Sequence, residues 1–258
     1  MTGHRSPRRV VSLVPSLTEA VAASAPELLV GVTDWCSHPA GLGAARIGGT
    51  KNPDLGRIVA LAPDLVLANE EENRPQDLAA LRAAGPSVLV TAVRTLDQAW
   101  DELTRVLVDG CRLPRPGWLD AAEDAWRALP VPAAIGVSSA RTEGGAWGRT
   151  AVVPVWRRPW MVLGRDTFAG DLLARLGVRN RYADHTDRYP RIPLDALNAA
   201  GADLVVLPDE PYRFTAEDGP EAFPALPAAL VSGRFLTWYG PSLAEAPAAL
   251  AAALAGAR

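Results

Sequence analysis

Lysine is almost missing from this chain. Of its 26 cationic side chains, 25 are arginine and one is Lys51. Together with the abundance of Ala and Pro this reads as a GC-rich codon bias, and it singles out the position where lysine was kept. The plain alternative is chance retention in a surface loop. Cysteine is also scarce. Cys36 and Cys111 exclude a disulfide framework and leave at most one bridge, which the sequence does not decide. No apolar run approaches the ~18 residues of a membrane span. Arg5, Arg8 and Arg9 lead into Val10-Val11-Ser12-Leu13-Val14, shorter than the roughly 7–15 residues of a secretory apolar core. No cysteine early in the chain marks a lipid anchor. The chain as written therefore reads as cytoplasmic, unless a leader precedes it. A formal charge of −3 gives no reason to bind nucleic acid or an anionic membrane.

What is present is a globular composition, with 48% hydrophobic and 21% charged residues over 258 positions. Short apolar runs alternate with helical patterns. Residues 9–13, 28–33, 64–68 and 87–91 read as strands. Ser16-Leu17-Thr18-Glu19 reads as a capping box for a first helix. Asn52-Pro53-Asp54 reads as the start of a second. Strands separated by helices imply parallel pairing. From Thr95 to about Ala128 the pattern turns helical, interrupted at Leu113-Pro114-Arg115-Pro116-Gly117. Strand and helix patterns then resume, with strands at 133–137, 204–207 and 226–231. The organisation is an N-terminal α/β lobe at 1–94, a linking helical segment at 95–130 and a C-terminal α/β lobe at 131–258.

An internal match supports two similar halves. The stretch from Leu55 to Asp64-Leu65-Val66 aligns without a gap with that from Leu194 to Asp203-Leu204-Val205. In each copy an amphipathic helix breaks into Asp-Leu-Val.

Ligands of parallel sheets bind beyond the carboxyl ends of the strands, so the loops there carry the candidate site. They hold Pro15 and Ser16, then Trp35 and His38, then Thr50 and Lys51, then Glu71 and Arg74. In the second half they hold Arg141, Trp147, Trp156, Arg158, Trp160, Tyr212 and Trp238. Tryptophan in loops suits stacking on a flat ligand. Lys51 and Arg141 would meet anionic groups. Arg74 with the acidic run at 70–72 reads as an ion pair across a cleft. No catalytic residues are expected: there is no Gly-x-Ser-x-Gly, no phosphate-cradling Gly-x-x-x-x-Gly-Lys and no His-Glu-x-x-His. Cys36 and His38 are too few to hold zinc. No cofactor and no protein-bound metal is expected, although a ligand could itself carry Fe or Co.

Arg9-Val-Val-Ser-Leu-Val-Pro-Ser-Leu-Thr-Glu19, Val30-Gly-Val-Thr33 and Ile58-Val-Ala-Leu-Ala-Pro-Asp-Leu-Val-Leu67 resemble the iron-siderophore and cobalamin substrate-binding proteins of ABC importers, the helical-backbone metal receptors. Arg165-Asp-Thr-Phe-Ala-Gly-Asp-Leu-Leu-Ala-Arg-Leu-Gly177 and Tyr182-Ala-Asp184 fit the same pattern. The resemblance implies an α/β fold of two Rossmann-like lobes with parallel sheets joined by a long backbone helix, like class III periplasmic binding proteins. It implies a monomer clamping a metal-chelate, corrinoid or tetrapyrrole-like ligand between the lobes. It implies an ABC permease partner, docked by an acid near the start of one helix in each lobe. Those positions are Gly56 and Asp195 here, so one acid is lost and one is shortened. Thr50 stands where the cobalamin binder has a tryptophan, and Trp35 where it has a tyrosine. Two other readings fit the same residues: an exported importer subunit whose signal sequence lies upstream, and a chelatase-like enzyme on the same scaffold.

Overall fold

The computed structural model describes residues 6–129 and 148–258. His4, Arg141, Trp147 and the strand expected at 133–137 lie outside the described residues. The chain divides into two compact units. The first comprises 1–93, 97–121 and 239–241, and the second 94–96, 122–238 and 242–258.

The first unit is built on β1 (Val10–Ser12), β2 (Leu29–Val32), β3 (Ala45–Arg46), β4 (Leu65–Asn69) and β5 (Ser87–Thr91), with α1 (Pro15–Ala22), α2 (Leu55–Ala60) and α3 (Pro75–Ala83) between them. The five strands are ordered β3-β2-β1-β4-β5 and all pair in parallel. β1 and β4 are buried at every position, which is why they read as continuous apolar runs rather than alternating ones. Val11, Leu13, Ile47, Ile58, Val66, Ala68, Leu78 and Leu81 form the core on one side.

The helical segment expected at 95–130 is two helices. α4 (Leu96–Thr104) continues into a wide π turn at Arg105–Gly110, and α5 (Gly117–Arg127) follows after a break. Pro114 and Pro116 lack the amides a continuous helix needs there. The boundary between the two units falls inside α5, after Ala121.

The second unit holds β6 (Arg149–Val152), a hairpin of β7 (Pro154–Arg157) and β8 (Trp160–Val162), α6 (Phe168–Arg175), β9 (Val178–Asn180), α7 (Leu194–Asn198), β10 (Leu204–Pro208), β11 (Ala228–Val231), α8 (Gly233–Thr237) and α9 (Ala246–Ala255). Its described sheet is ordered β11-β10-β6-β9, again all parallel. Val152, Val162, Leu197, Val205, Leu207, Phe214 and Phe223 form its core.

The internal match extends to individual hydrogen bonds. Asp64 Oδ2 accepts from the Arg9 amide at 3.0 Å, and Asp203 Oδ2 from the Thr150 amide at 2.7 Å. In return the Asp64 amide donates to Arg9 O and the Asp203 amide to Thr150 O, both at 2.8 Å. Each aspartate thus clasps the start of the first strand of its sheet, just before its own strand begins. The helix break matches as well. Ala62 sits at φ 45° and Gly201, its counterpart, at φ 69°. One residue earlier, Leu61 O accepts from the Arg9 guanidinium and Ala200 O from the Arg181 guanidinium.

Local expectations needed three corrections. α1 starts at Pro15, with Val14 in the cap position and no side-chain cap. Ser16 and Glu19 are therefore inside a buried helix and form no capping box; a proline is favoured at the first position because its missing amide has no partner to lose. α2 is capped by Asp54, which accepts from the Arg57 amide at 2.9 Å, and not by Asn52. The segment 154–162, read as loop, is a hairpin. Cys36 and Cys111 are both buried and unbridged.

Ala62 occupies the left-handed region without being glycine, which costs roughly 1–2 kcal/mol. Ala62→Gly is expected to stabilise the protein by up to about 1 kcal/mol after the greater freedom of glycine in the unfolded chain is discounted. Urea unfolding checks this, and a lower midpoint would contradict it.

Candidate functional site

In each sheet the chain leaves its first strand for opposite sides in succession. The switch point lies between β1 and β4 in the first unit and between β6 and β10 in the second. A parallel sheet opens at that place, at the carboxyl ends of its strands.

In the first unit, the carboxyl-end loops are knitted by a buried polar cluster. Asn69, the last residue of β4, donates from Nδ2 to the Tyr239 hydroxyl at 2.9 Å and to Thr91 Oγ1 at 3.2 Å. Thr91 gives its proton to Ala68 O, so the Tyr239 hydroxyl donates to Thr91 Oγ1, 2.9 Å away. Ser16 hydrogen-bonds the same phenol, and burial pushes the Tyr239 pKa up, with Glu72 adding to the effect. Asn73 accepts from the Asn69 amide at 2.9 Å and donates to Thr50 O at 3.0 Å. The Lys51 ammonium donates to Glu71 O, and the Glu71 amide to Asn69 Oδ1. The structure thus brings Ser16, Thr50, Lys51 and Glu71 together through Asn69, Asn73 and Tyr239, while Pro15 is buried at the start of α1. Arg74 pairs with Asp77 in the first turn of α3, at 2.8 Å, the i,i+3 carboxylate being within reach. Trp35 is 65% exposed. Its indole edge lies against Gly49, where an added Cβ would sit 3.4 Å from Nε1.

Cys36 and His38 do not act together. Cys36 is buried with its thiol 3.0 Å from Thr18 Oγ1 and 3.1 Å from Thr33 Oγ1. His38 is exposed, with Nδ1 3.0 Å from Ser37 Oγ. Burial raises the pKa of Cys36 and, to about 11, that of Cys111. Among the described residues no group of three His, Cys, Asp or Glu side chains is placed to hold a metal, and no helix is long and apolar enough to cross a membrane.

In the second unit the β7–β8 hairpin rises from the carboxyl end of β6. Trp160 stacks on Phe214 at 6.1 Å between ring centroids and meets Phe223 edge-on at 5.4 Å. Trp156 is 42% exposed, meets Tyr212 edge-on at 5.7 Å and donates to Arg158 O at 3.2 Å. The Tyr212 hydroxyl donates to Asp218 at 2.7 Å. Arg157 lies over the Trp160 ring and is ion-paired with both Asp218 and Glu221. A bond from the Gly219 amide, and then Arg157, holds the Glu221 carboxyl below its usual range. Trp238 is buried and donates to Glu210 at 2.9 Å. Gly56 and Asp195 each stand second in a helix, α2 and α7.

Sequence reasoning missed Tyr189 and Arg191. Both are exposed in the loop after β9, a strand of three residues that is too short to announce a carboxyl-end loop. Tyr189 is 38% exposed with Arg188 over its ring. The loop is held against the hairpin by Gly164, whose amide donates to Arg188 O at 2.7 Å. An added Cβ there would lie 2.0 Å from Asp187 O, so only glycine fits.

Two parallel α/β sheets with candidate groups at their carboxyl ends define a class III, periplasmic-binding-protein-like chain. No family model matches it. It is 33% identical over 97 residues to the vitamin B12-binding protein of Vibrio cholerae, covering 37% of this chain and 35% of that one. It is 29% identical over 192 residues to the vitamin B12-binding protein of Pectobacterium atrosepticum, covering 72% and 66%. The match thus spans about a third of the first relative's length and about two thirds of the second's. Its fold is similar to that of the periplasmic heme-binding protein BhuT in complex with two hemes, with a TM-score of 0.76, 25% identity and coverage of 97% and 98%. In sequence and in fold the chain is thus similar to periplasmic binding proteins of the helical-backbone metal receptor type.

The cytoplasmic expectation is corrected by these comparisons. The relatives include an uncharacterized ABC transporter substrate-binding lipoprotein of Bacillus subtilis, 24% identical over 214 residues and covering 81% of this chain and 66% of that one. BhuT is described as periplasmic. The apolar run at 10–14 is short because it supplies β1, a central strand of the first sheet, so its length carries no information on compartment.

Tyr239→Phe removes a buried hydroxyl on which Asn69, Thr91 and Ser16 all depend. It is expected to lower unfolding free energy by about 1–3 kcal/mol, read from denaturant unfolding; an unchanged midpoint would show that the cluster is not stabilising. For Cys36, the raised pKa keeps the native thiol protonated at neutral pH. Its contribution to stability is present below the ordinary thiol range and is lost as pH rises through the folded-state value. A thiol reagent at pH 7 should label Cys36 only after unfolding, and rapid labelling of the native protein would count against this.

Proposed function

We propose that this chain is the substrate-binding component of an ABC importer and takes a metal-chelate, corrinoid or tetrapyrrole ligand without transforming it. The observation that carries this is the exposure of Trp35 and Tyr189 on carboxyl-end loops and of Trp156 on the hairpin that follows β6. Large aromatic faces left in water by a folded chain are suited to a flat conjugated ligand. The relatives named for vitamin B12 and heme support the same ligand class.

Lys51, Thr50 and Glu71 then shape the wall of the first unit's site, with His38 and Ser16 at its edges. Arg158, Trp160 and Tyr212 shape that of the second. Trp238 and Arg74 act as supports, since each is already held by an internal partner. Docking on the permease falls to Asp195. Gly56 carries no acid, and Asp54, two residues earlier, is engaged as a helix cap.

Titration of the protein with cobalamin, haemin and a ferric siderophore is expected to quench tryptophan fluorescence saturably for at least one of them. Trp35→Ala should weaken that ligand by about tenfold, the loss of one aromatic contact of roughly 1–1.5 kcal/mol. Absence of quenching by all three would overturn the proposal for these ligand classes.

A further inference from the structure

The second unit carries a surface hollow of about 570 Å³ lined by Arg157, Arg158, Pro159, Trp160, Arg191, Ile192 and Pro193. Its walls come from the turn of the β7–β8 hairpin and from the loop after β9, both of which follow the carboxyl end of a strand of the sheet. It is well supported. The Ile192 amide donates to Trp160 O at 3.2 Å, the Val162 amide to Pro190 O at 3.1 Å, and Met161 and Arg191 form a bridge. The loop segment therefore runs as an added strand beside β8. Trp160 is fixed from behind by Phe214 and Phe223.

The charges in this hollow are unequal. Arg157 is neutralised by Asp218 and Glu221. The guanidinium groups of Arg158 and Arg191 make no hydrogen bond or ion pair with any of the described residues, and both side chains are exposed. Two positive forks at one concave, aromatic-walled place, Arg158 in the turn that closes the β7–β8 hairpin and Arg191 on a backbone bridged to Met161, form a receptor for an oxyanion. Guanidinium binds carboxylate and phosphate through two parallel N–H donors. The volume is within the range of pockets that take a small organic ligand.

We propose that this hollow is an anion subsite, in which Arg158 and Arg191 hold a carboxylate or phosphate arm of the ligand while Trp160, Pro159 and Ile192 line the space for its apolar stem. The assignment rests on the ligand class proposed above and narrows it to ligands that carry acid groups outside their metal chelate. An acidic protein surface is the competing occupant. The hollow's volume and its apolar lining of Pro159, Trp160, Ile192 and Pro193 favour a small molecule, because a protein rim contact needs only the charges.

The test compares the unmodified protein with R158Q/R191Q. Four probes are used: haemin, which carries two carboxylates; haemin dimethyl ester, which has none; cobalamin, which carries a phosphodiester; and cobinamide, which lacks it. Loss in the haemin arm identifies a carboxylate and loss in the cobalamin arm a phosphate. The acid-bearing probe that binds is expected to lose about 10–100-fold in the double variant, on the order of tenfold per exposed charged contact. Its counterpart without the acid group should bind more weakly and respond little to the substitutions. R158K/R191K, which keeps the charge without the fork, should lose less than R158Q/R191Q. Neither arginine has a structural partner among the described residues, so thermal unfolding should be unchanged. If haemin and cobalamin bind the double variant as tightly as the unmodified protein, the subsite is wrong while the ligand-binding reading survives, and the arginine pair is left to a protein partner. If no probe binds the unmodified protein, the subsite falls, and the ligand-binding reading falls with it where the ferric siderophore titration is also negative.

Discussion

The structure depends most on a carboxylate placed just before a strand. Asp64 and Asp203 each accept a hydrogen bond from an amide at the start of the first described strand of their sheet, Arg9 beside β1 and Thr150 in β6, and each returns one from its own amide. This clasp fixes the register of the central pair, β1 with β4 and β6 with β10, at the amino ends of the strands. A parallel pair slipped by one residue would turn its side chains to the wrong face. With the amino ends pinned, the connections at the carboxyl ends are free to differ. They do: the first unit has short loops cross-linked by polar groups, and the second has a hairpin and a long loop packed with aromatics.

That division explains where the two units invest their polar groups. In the first, Asn69, Asn73, Thr91 and Tyr239 satisfy one another in a buried cluster, and the ammonium of Lys51 is directed at a backbone carbonyl. A satisfied network of this kind is rigid, because loss of any member leaves a buried partner unpaired. In the second unit, Trp160, Phe214, Phe223 and Tyr212 support one another through ring contacts. Ring packing tolerates a charged rim, and Arg157 shows how: it covers Trp160 while paired with two carboxylates.

Strands buried on both faces, such as β4 and β10, were legible as apolar runs; the one polar residue in them, Asn69 at the end of β4, is buried with its hydrogen bonds made. The repeat was legible because Asp-Leu-Val follows a helix break in both copies. The capping box was misread because Ser16 and Glu19 have the right spacing for a cap and yet lie buried within α1, where Ser16 bonds the Tyr239 hydroxyl. The hairpin at 154–162 was hidden by Arg157-Arg158-Pro159 at its turn. Of the site, the exposed Trp35 and Trp156 could be found from residue type and loop position. Trp238 resembles them in sequence but is buried against Glu210, a contact 28 residues away that no local pattern announces. Tyr189 and Arg191 stayed hidden because a strand of three residues precedes their loop.

Near-absence of lysine bears on how such a surface can discriminate. With arginine as the default cation, a positive side chain says little about function by its identity. What distinguishes one arginine from another is whether the fold has already supplied its anion. Arg74, Arg105, Arg157 and Arg175 are each paired within their own unit. Such pairs hold loops and helix ends in place, and an incoming anion would have to displace a carboxylate already seated. An arginine on a fixed backbone without an internal acid faces no such competition, so its full donor set is available to a ligand. In a chain built this way, the pattern of pairing carries the information that the pattern of charge does not.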